Sequence, residues 1–167
     1  IIHVEGSVDP MRDLEIINME LIYADLEMVE RRLDRDRKLV KNDKSLSAEV
    51  AVLERVYAAL NDGVSARALT FDESEAAIMA TIPLLSAKPV IYAANISEDD
   101  IGSDLSDNEG YAKLCAYARE EGSAVMPICA GIEAEIAELD GDEKKEFLAD
   151  LGLPESGLDR LIKASYK

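Results

Sequence analysis

In the first third of the chain, apolar residues recur in alternating steps of three and four. Met19, Ile22, Leu26, Val29, Leu33 and Val40 mark one seam, with Asp36 as its one polar position. These are the a and d places of a heptad. Asn42-Asp43-Lys44 breaks the pattern, which resumes with Leu46, Val50, Leu53, Tyr57, Leu60 and Val64. Ser45 or Ser47 is placed to cap the second helix, and Asn61-Asp62-Gly63 supplies its stop signal. Two seams joined by a short polar loop predict an antiparallel coiled-coil hairpin over residues 19–66.

Thr70 and Glu73 have the spacing of a capping box. They predict a short helix to about Thr81, ending before Pro83. The pattern then changes period. Pro89 to Ala94 is a short apolar run, as expected of a strand buried on both faces. After a polar loop from Asn95 to Asp107, Asn108 is a cap for a helix through Tyr111, Leu114, Cys115 and Ala118, which Gly122 ends. A second strand follows at Ala124 to Cys129, and Pro127 puts it at a sheet edge because proline cannot donate to a ladder. Three helical patterns close the chain. They are carried by Ile132, Ile136 and Leu139, by Phe147, Leu148 and Leu151, and by Leu158, Leu161 and Ile162, with Ser156 as a cap for the last. Strand, helix, strand, helix predicts an α/β fold with a parallel sheet. Two strands are too few for a stable sheet of that kind, so the rest are expected before Ile1.

Composition narrows the class. Of 167 residues, 48% are hydrophobic and 32% charged, so the chain holds enough patterned apolar material for a core. The formal charge of −17 argues against a general binder of nucleic acid, and no DNA partner is expected. Two cysteines and one histidine support neither a disulfide scaffold nor a zinc site. The longest apolar run, Ala76 to Leu85, is too short to span a bilayer, and the start of the chain lacks the features of a signal peptide. A cytoplasmic protein without a membrane partner is expected. Because the chain begins at Ile in what reads as the end of a strand, a fragment is expected too.

The segment richest in chemistry is Lys88 to Glu98, where an apolar strand ends in Asn95 and an acid follows three residues later. In open α/β sheets, ligands bind beyond the carboxyl ends of strands. Asn95-Ile96-Ser97-Glu98 resembles the base-recognition motif Asn-Lys-x-Asp of P-loop GTPases, with Ile96 for Lys and Glu98 for Asp. The chain as a whole resembles the Obg-like ATPases of the YchF type within that superfamily. The shared residues include Ile1-Ile2-His3-Val4-Glu5-Gly6, Val8-Asp9-Pro10, Ile16-Ile17-Asn18, Ala134-Glu135-Ile136-Ala137-Glu138-Leu139 and Glu155-Ser156-Gly157-Leu158, besides the hairpin and the Asn95 motif.

The resemblance implies the distal part of a P-loop GTPase-like domain, over 1–18 and 67–167, with the hairpin inserted at 19–66. It implies ATP as ligand, with the adenine read by the side-chain amide of Asn95, the backbone at Ile96 and the altered acid Glu98. Adenine lacks the N1–H and N2 donors that the aspartate of the GTPase motif accepts, and an amide matches its N6 and N7. Glu98 accordingly disfavours an ordinary guanine-specific enzyme. Cys129-Ala130 falls where the family carries a second base-contacting loop, often Ser-Ala-Lys, from which Cys129 and Gly131 depart. Read alone, Cys129 is a small buried residue. The resemblance makes His3 a candidate for the hydrolytic residue.

No Gly-x-x-x-x-Gly-Lys-[Ser/Thr] occurs in the chain. The family's phosphate loop and magnesium site precede the segment matched here, and its TGS domain follows it. Without the phosphate loop the chain is expected to be inactive by itself, with Mg2+ held only in the complete protein.

Charge is uneven. Residues 31–44 carry seven basic side chains against three acidic ones. Arg31, Arg35, Lys38 and Lys41 are therefore candidates for contact with ribosomal RNA or a protein partner, and the resemblance implies a ribosome-associated protein. The alternative reading is a non-catalytic interaction module that uses the basic hairpin end, or simply a solvated charged surface with local ion pairs.

Overall fold

The computed structural model describes residues 10–166. The chain divides into two compact units, Ile1–Pro89 and Val90–Lys167.

In the first unit, helix α1 (Pro10–Leu39) turns back through a 3-10 turn (Lys44–Leu46) into helix α2 (Ser47–Asn61). Proline at the first position of α1 costs no hydrogen bond, since that N–H has no helical partner in any case. The helices run antiparallel. Gly63 lies against the Met19 sulfur, while Arg32 Nε reaches Glu49 at 2.7 Å nearer the turn. Ile22, Val29 and Leu33 pack with Leu53, Val56 and Leu60. α1 continues unbroken across the boundary expected at 18/19, and residues 67–89 belong to the same compact unit as the helix pair.

The buried face of α1 differs from the heptad reading. It runs Leu14, Asn18, Ile22, Asp25, Val29, Leu33, Asp36. These steps repeat every eleven residues, about 3.67 per turn, close to a straight helix and wider than the 3.5 of a left-handed supercoil. Met19 and Leu26 flank that face, and Asn18 and Asp25 occupy it.

Two caps also differ from expectation. Ser45 and Ser47 do not cap α2. Asp43 caps the 3-10 turn by accepting from Ser45 N at 3.0 Å, and Ser47 Oγ donates to Lys44 O. Helix α3 (Glu73–Met79) starts from Asp72, not Thr70. Asp72 Oδ1 accepts from Glu75 N at 2.8 Å and Glu75 Oε2 from Asp72 N at 3.1 Å, a reciprocal box set two residues later than expected.

The second unit holds two parallel strands, β1 (Ile91–Asn95) and β2 (Ala124–Ile128), with Asn95 opposite Ile128. Helix α4 (Glu109–Glu121) crosses between them, capped by Asn108 and ended by Gly122 at φ 76°. Then follow α5 (Ala130–Ala137), α6 (Gly141–Asp150) and α7 (Gly157–Ser165). β1 is half-buried with Ala93 exposed, and not enclosed on both faces as its apolar run suggests. A strand with one hydrogen-bonded neighbour keeps an open edge. Cys129, Ile132, Ile136 and Leu148 form the core of this unit.

Candidate base-recognition site

β1 delivers Asn95 to its carboxyl end, and β2 delivers the loop that starts at Ile128. Ile96 N donates to Ile128 O at 2.9 Å, extending the ladder by one bond. The Asn95 side chain then crosses the gap, and its Oδ1 accepts from Ala130 N at 3.1 Å. Residues 95–98 and 128–131 thus form one cluster at the carboxyl ends of parallel strands, where such sheets present ligands. Ala130 is also the first residue of α5, so Asn95 satisfies one of the backbone donors left open at that helix end.

Glu98 begins a 3-10 turn (Glu98–Asp100), held by Ser97 Oγ donating to Asp100 Oδ2 at 2.7 Å. Its carboxylate lies against the first turn of α5. A Cβ built on Gly131 would stand 2.9 Å from Glu98 Oε1. The Glu98 side chain is exposed and makes no hydrogen bond or ion pair among the described residues. Cys129 is 7% exposed and packs beside Ile96 and Ile101, while its carbonyl accepts from Glu133 N. That is the position of a small buried side chain.

Glu133 and Arg160 support the cluster from behind, and neither stood out in the sequence. Glu133 Oε1 accepts from Gly157 N at 2.6 Å and Oε2 from Leu158 N at 3.1 Å, so one carboxylate caps α7. Arg160 Nη2 donates to Pro127 O at 2.9 Å. Ile96, Ile101, Cys129, Glu133 and Arg160 help line a cavity of about 240 Å³ in this unit. The contacts that place Glu133 and Arg160 span 24 to 33 residues of chain, so no local pattern announces them.

The basic end of the first unit is largely paired. Arg31 meets Glu27, Arg32 meets Glu49 and Asp36, Arg35 Nη2 meets Asp36 at 2.7 Å, and Arg37 meets Glu54. Lys38, Lys41 and Lys44 are exposed and make no ion pair among the described residues. His3 lies outside the described residues. Among the described residues no group of three His, Cys, Asp or Glu side chains converges. No described helix is long and apolar enough to cross a membrane.

No family model matches the chain. It is 48% identical over 167 residues to the ribosome-binding ATPase YchF of Bacillus subtilis (strain 168), covering 99% of this chain and 45% of that protein. With the ribosome-binding ATPase YchF of Escherichia coli O157:H7 it shares 44% over 168 residues, covering 100% and 45%. With Obg-like ATPase 1 of Caenorhabditis elegans it shares 34% over 169 residues, covering 99% and 42%. The solved YchF GTPase of Schizosaccharomyces pombe superposes with a TM-score of 0.82 at 33% identity, covering 99% of this chain and 46% of that one. The chain spans about half the length of these relatives. Over the whole of its own length, it belongs to the YchF-type family of Obg-like ATPases.

Proposed function

We propose that this chain is the base-reading and arm-bearing segment of a ribosome-associated cytoplasmic protein that binds and hydrolyses ATP. The observation that carries the reading is the Asn95 amide, which bridges the carboxyl ends of β1 and β2 through Ala130 N. With Oδ1 accepting that bond, the Asn95 Nδ2 donors are left to meet N7 of a purine. The N6 amine of adenine donates to the backbone at Ile96. Guanine needs a paired acceptor for its N1–H and N2 amine, and the Glu98 carboxylate lies drawn onto α5 instead. The loop at Cys129 and Ala130 contributes backbone, with the Cys129 side chain turned to the core.

In this reading residues 1–18 and 67–167 frame the nucleotide domain, and 19–66 form the inserted helical arm. ATP is the substrate of the complete protein, where His3 serves hydrolysis. Phosphate and Mg2+ are held there by residues outside this chain, so the chain alone binds the base without turnover. Nucleotide titration followed by amide resonances tests the base reading. ATP should shift Ile96 and Ala130 more than GTP does, Asn95→Ala should abolish the effect, and Glu98→Asp should move preference toward GTP. Unchanged ATP selectivity in Glu98→Asp would count against the reading.

A second reading has its own observation. Lys38, Lys41 and Lys44 stand exposed at the turn of the arm with no ion pair among the described residues, a charge arrangement suited to RNA phosphate. An arm that binds a ribosomal partner is compatible with the first reading, and it also stands alone if the base site proves silent.

A further inference from the structure

We infer that Gly131 is a specificity-determining position, acting through Glu98, for the base site proposed above; the inference rests on that reading. Three observations carry it. The space that a Cβ at position 131 would fill is taken by Glu98 Oε1, 2.9 Å from the built atom. The next atoms are no closer than 3.8 Å, so nothing but that carboxylate competes for the space. The Glu98 carboxylate has no hydrogen bond or ion pair of its own among the described residues. Room beside a glycine, and the partial positive charge of the first turn of α5, are what keep the carboxylate there.

The chemistry of the two purines makes that location matter. A carboxylate beside the base edge accepts from the N1–H and N2 amine of guanine, whereas it faces a lone pair at N1 of adenine. With the carboxylate drawn onto Gly131, guanine loses its acceptor pair and adenine escapes the repulsion. A side chain at 131 evicts the carboxylate, and a glutamate is long enough to swing back toward the base. Because the displaced atom is the end of a flexible exposed side chain, the eviction leaves the fold intact. Glu98 and Gly131 thus act as one unit, a longer acid matched by a residue without a Cβ.

The test measures ATP and GTP affinities of the 167-residue chain for the natural sequence, Gly131→Ala, Gly131→Ser, Glu98→Ala and the Gly131→Ala/Glu98→Ala double variant. Gly131→Ala and Gly131→Ser should each lower the ATP-to-GTP affinity ratio, by about tenfold, the equivalent of one good polar contact. They should also shift the Glu98 carboxyl carbon resonance without nucleotide. With Glu98→Ala in place, Gly131→Ala should change nothing more. An unmoved ratio in both Gly131 variants overturns the inference, as does a shift that persists without the Glu98 carboxylate. Asn95→Ala and Glu98→Asp in the same assay separate the failures. If they too are silent, the base reading falls and takes this inference with it; if they act, only the role of Gly131 falls.

Discussion

Asp25 has no accessible surface, and each of its oxygens accepts a backbone bond at 2.7 Å, one from Leu85 and one from Ser86. A buried carboxylate is tolerated only with its acceptor sites filled. Ser86 extends the network, with its Oγ accepting from Ala66 N and its carbonyl from Arg67 N. Asp25→Ala strands two backbone donors at once and should destabilise the first unit by on the order of 3 kcal/mol in urea unfolding. Asp25→Asn keeps one acceptor and should cost less. Asp36 is equally enclosed but differently balanced. Burial, the largest influence on its carboxyl, pushes its pKa up. The hydrogen bond from Arg35 and the charges of Arg35 and Arg32 outweigh this, and the net direction is below the ordinary range. A depressed carboxyl contributes stability above the unfolded pKa, about 4, and loses it as pH falls through the folded value. Asp36→Asn should therefore flatten the acid limb of stability against pH below about 4, and an unaltered limb would remove Asp36 from it. Asp36 was legible as the polar position on an apolar seam. Asp25 was not, because its partners are backbone amides 60 and 61 residues away.

At the scale of elements, legibility followed how local the determining contacts are. Asn108, Gly122 and Ser156 act within one helical turn, and each does what its residue type and position predict. At α3 two boxes compete, and Asp72 prevails over Thr70 because Glu75 both closes the box and pairs with Arg55 at 2.7 Å. The parallel crossing of β1, α4 and β2 was readable from the change of period, as a short strand–helix–strand unit requires. α7 depends on two caps of different origin. Ser156 Oγ accepts from Asp159 N within the turn, and Glu133 accepts from Gly157 and Leu158 across 24 and 25 residues. A carboxylate at a helix N-terminus adds charge to hydrogen bonding. Glu133→Ala should cost about 1–2 kcal/mol, the upper range of a lost cap. Hydrogen exchange should quicken at residues 157–160 and leave α4 unchanged. Gly157→Ala should resemble it, since the added Cβ would stand 2.7 Å from Glu133 Oε1 and 3.3 Å from Ile128 Cγ1. Unaltered exchange at the start of α7 in both variants would show that Ser156 suffices.

For the whole molecule, net charge sets what kind of partner each surface admits. A chain at −17 repels polyanions at long range, so any contact with RNA must come where positive charge is locally unopposed. By sequence alone seven basic residues between 31 and 44 look equivalent, because their spacing does not say which reach a carboxylate. The folded arm separates them. Arg32, Arg35 and Arg37 hold α1 and α2 together or offset Asp36, while Lys38, Lys41 and Lys44 remain exposed without an acid partner among the described residues. The proposed base site shows the same division between near and far. Asn95 at a strand end was readable, while the Glu98 carboxylate lies beside a glycine 33 residues later, which no local pattern announces. The two groups of basic residues predict different failures. Replacing Lys38, Lys41 and Lys44 with Gln should leave thermal stability within about 0.5 kcal/mol, as expected of exposed changes. If the arm meets RNA, the same variant weakens ribosome co-sedimentation and lowers its salt dependence by about one phosphate contact per lysine engaged. Arg35→Gln should instead lower stability, because it uncovers the buried Asp36, and any loss of binding should follow the loss of fold. Equal co-sedimentation and equal salt slope in the triple lysine variant would remove the arm's tip as a contact with RNA.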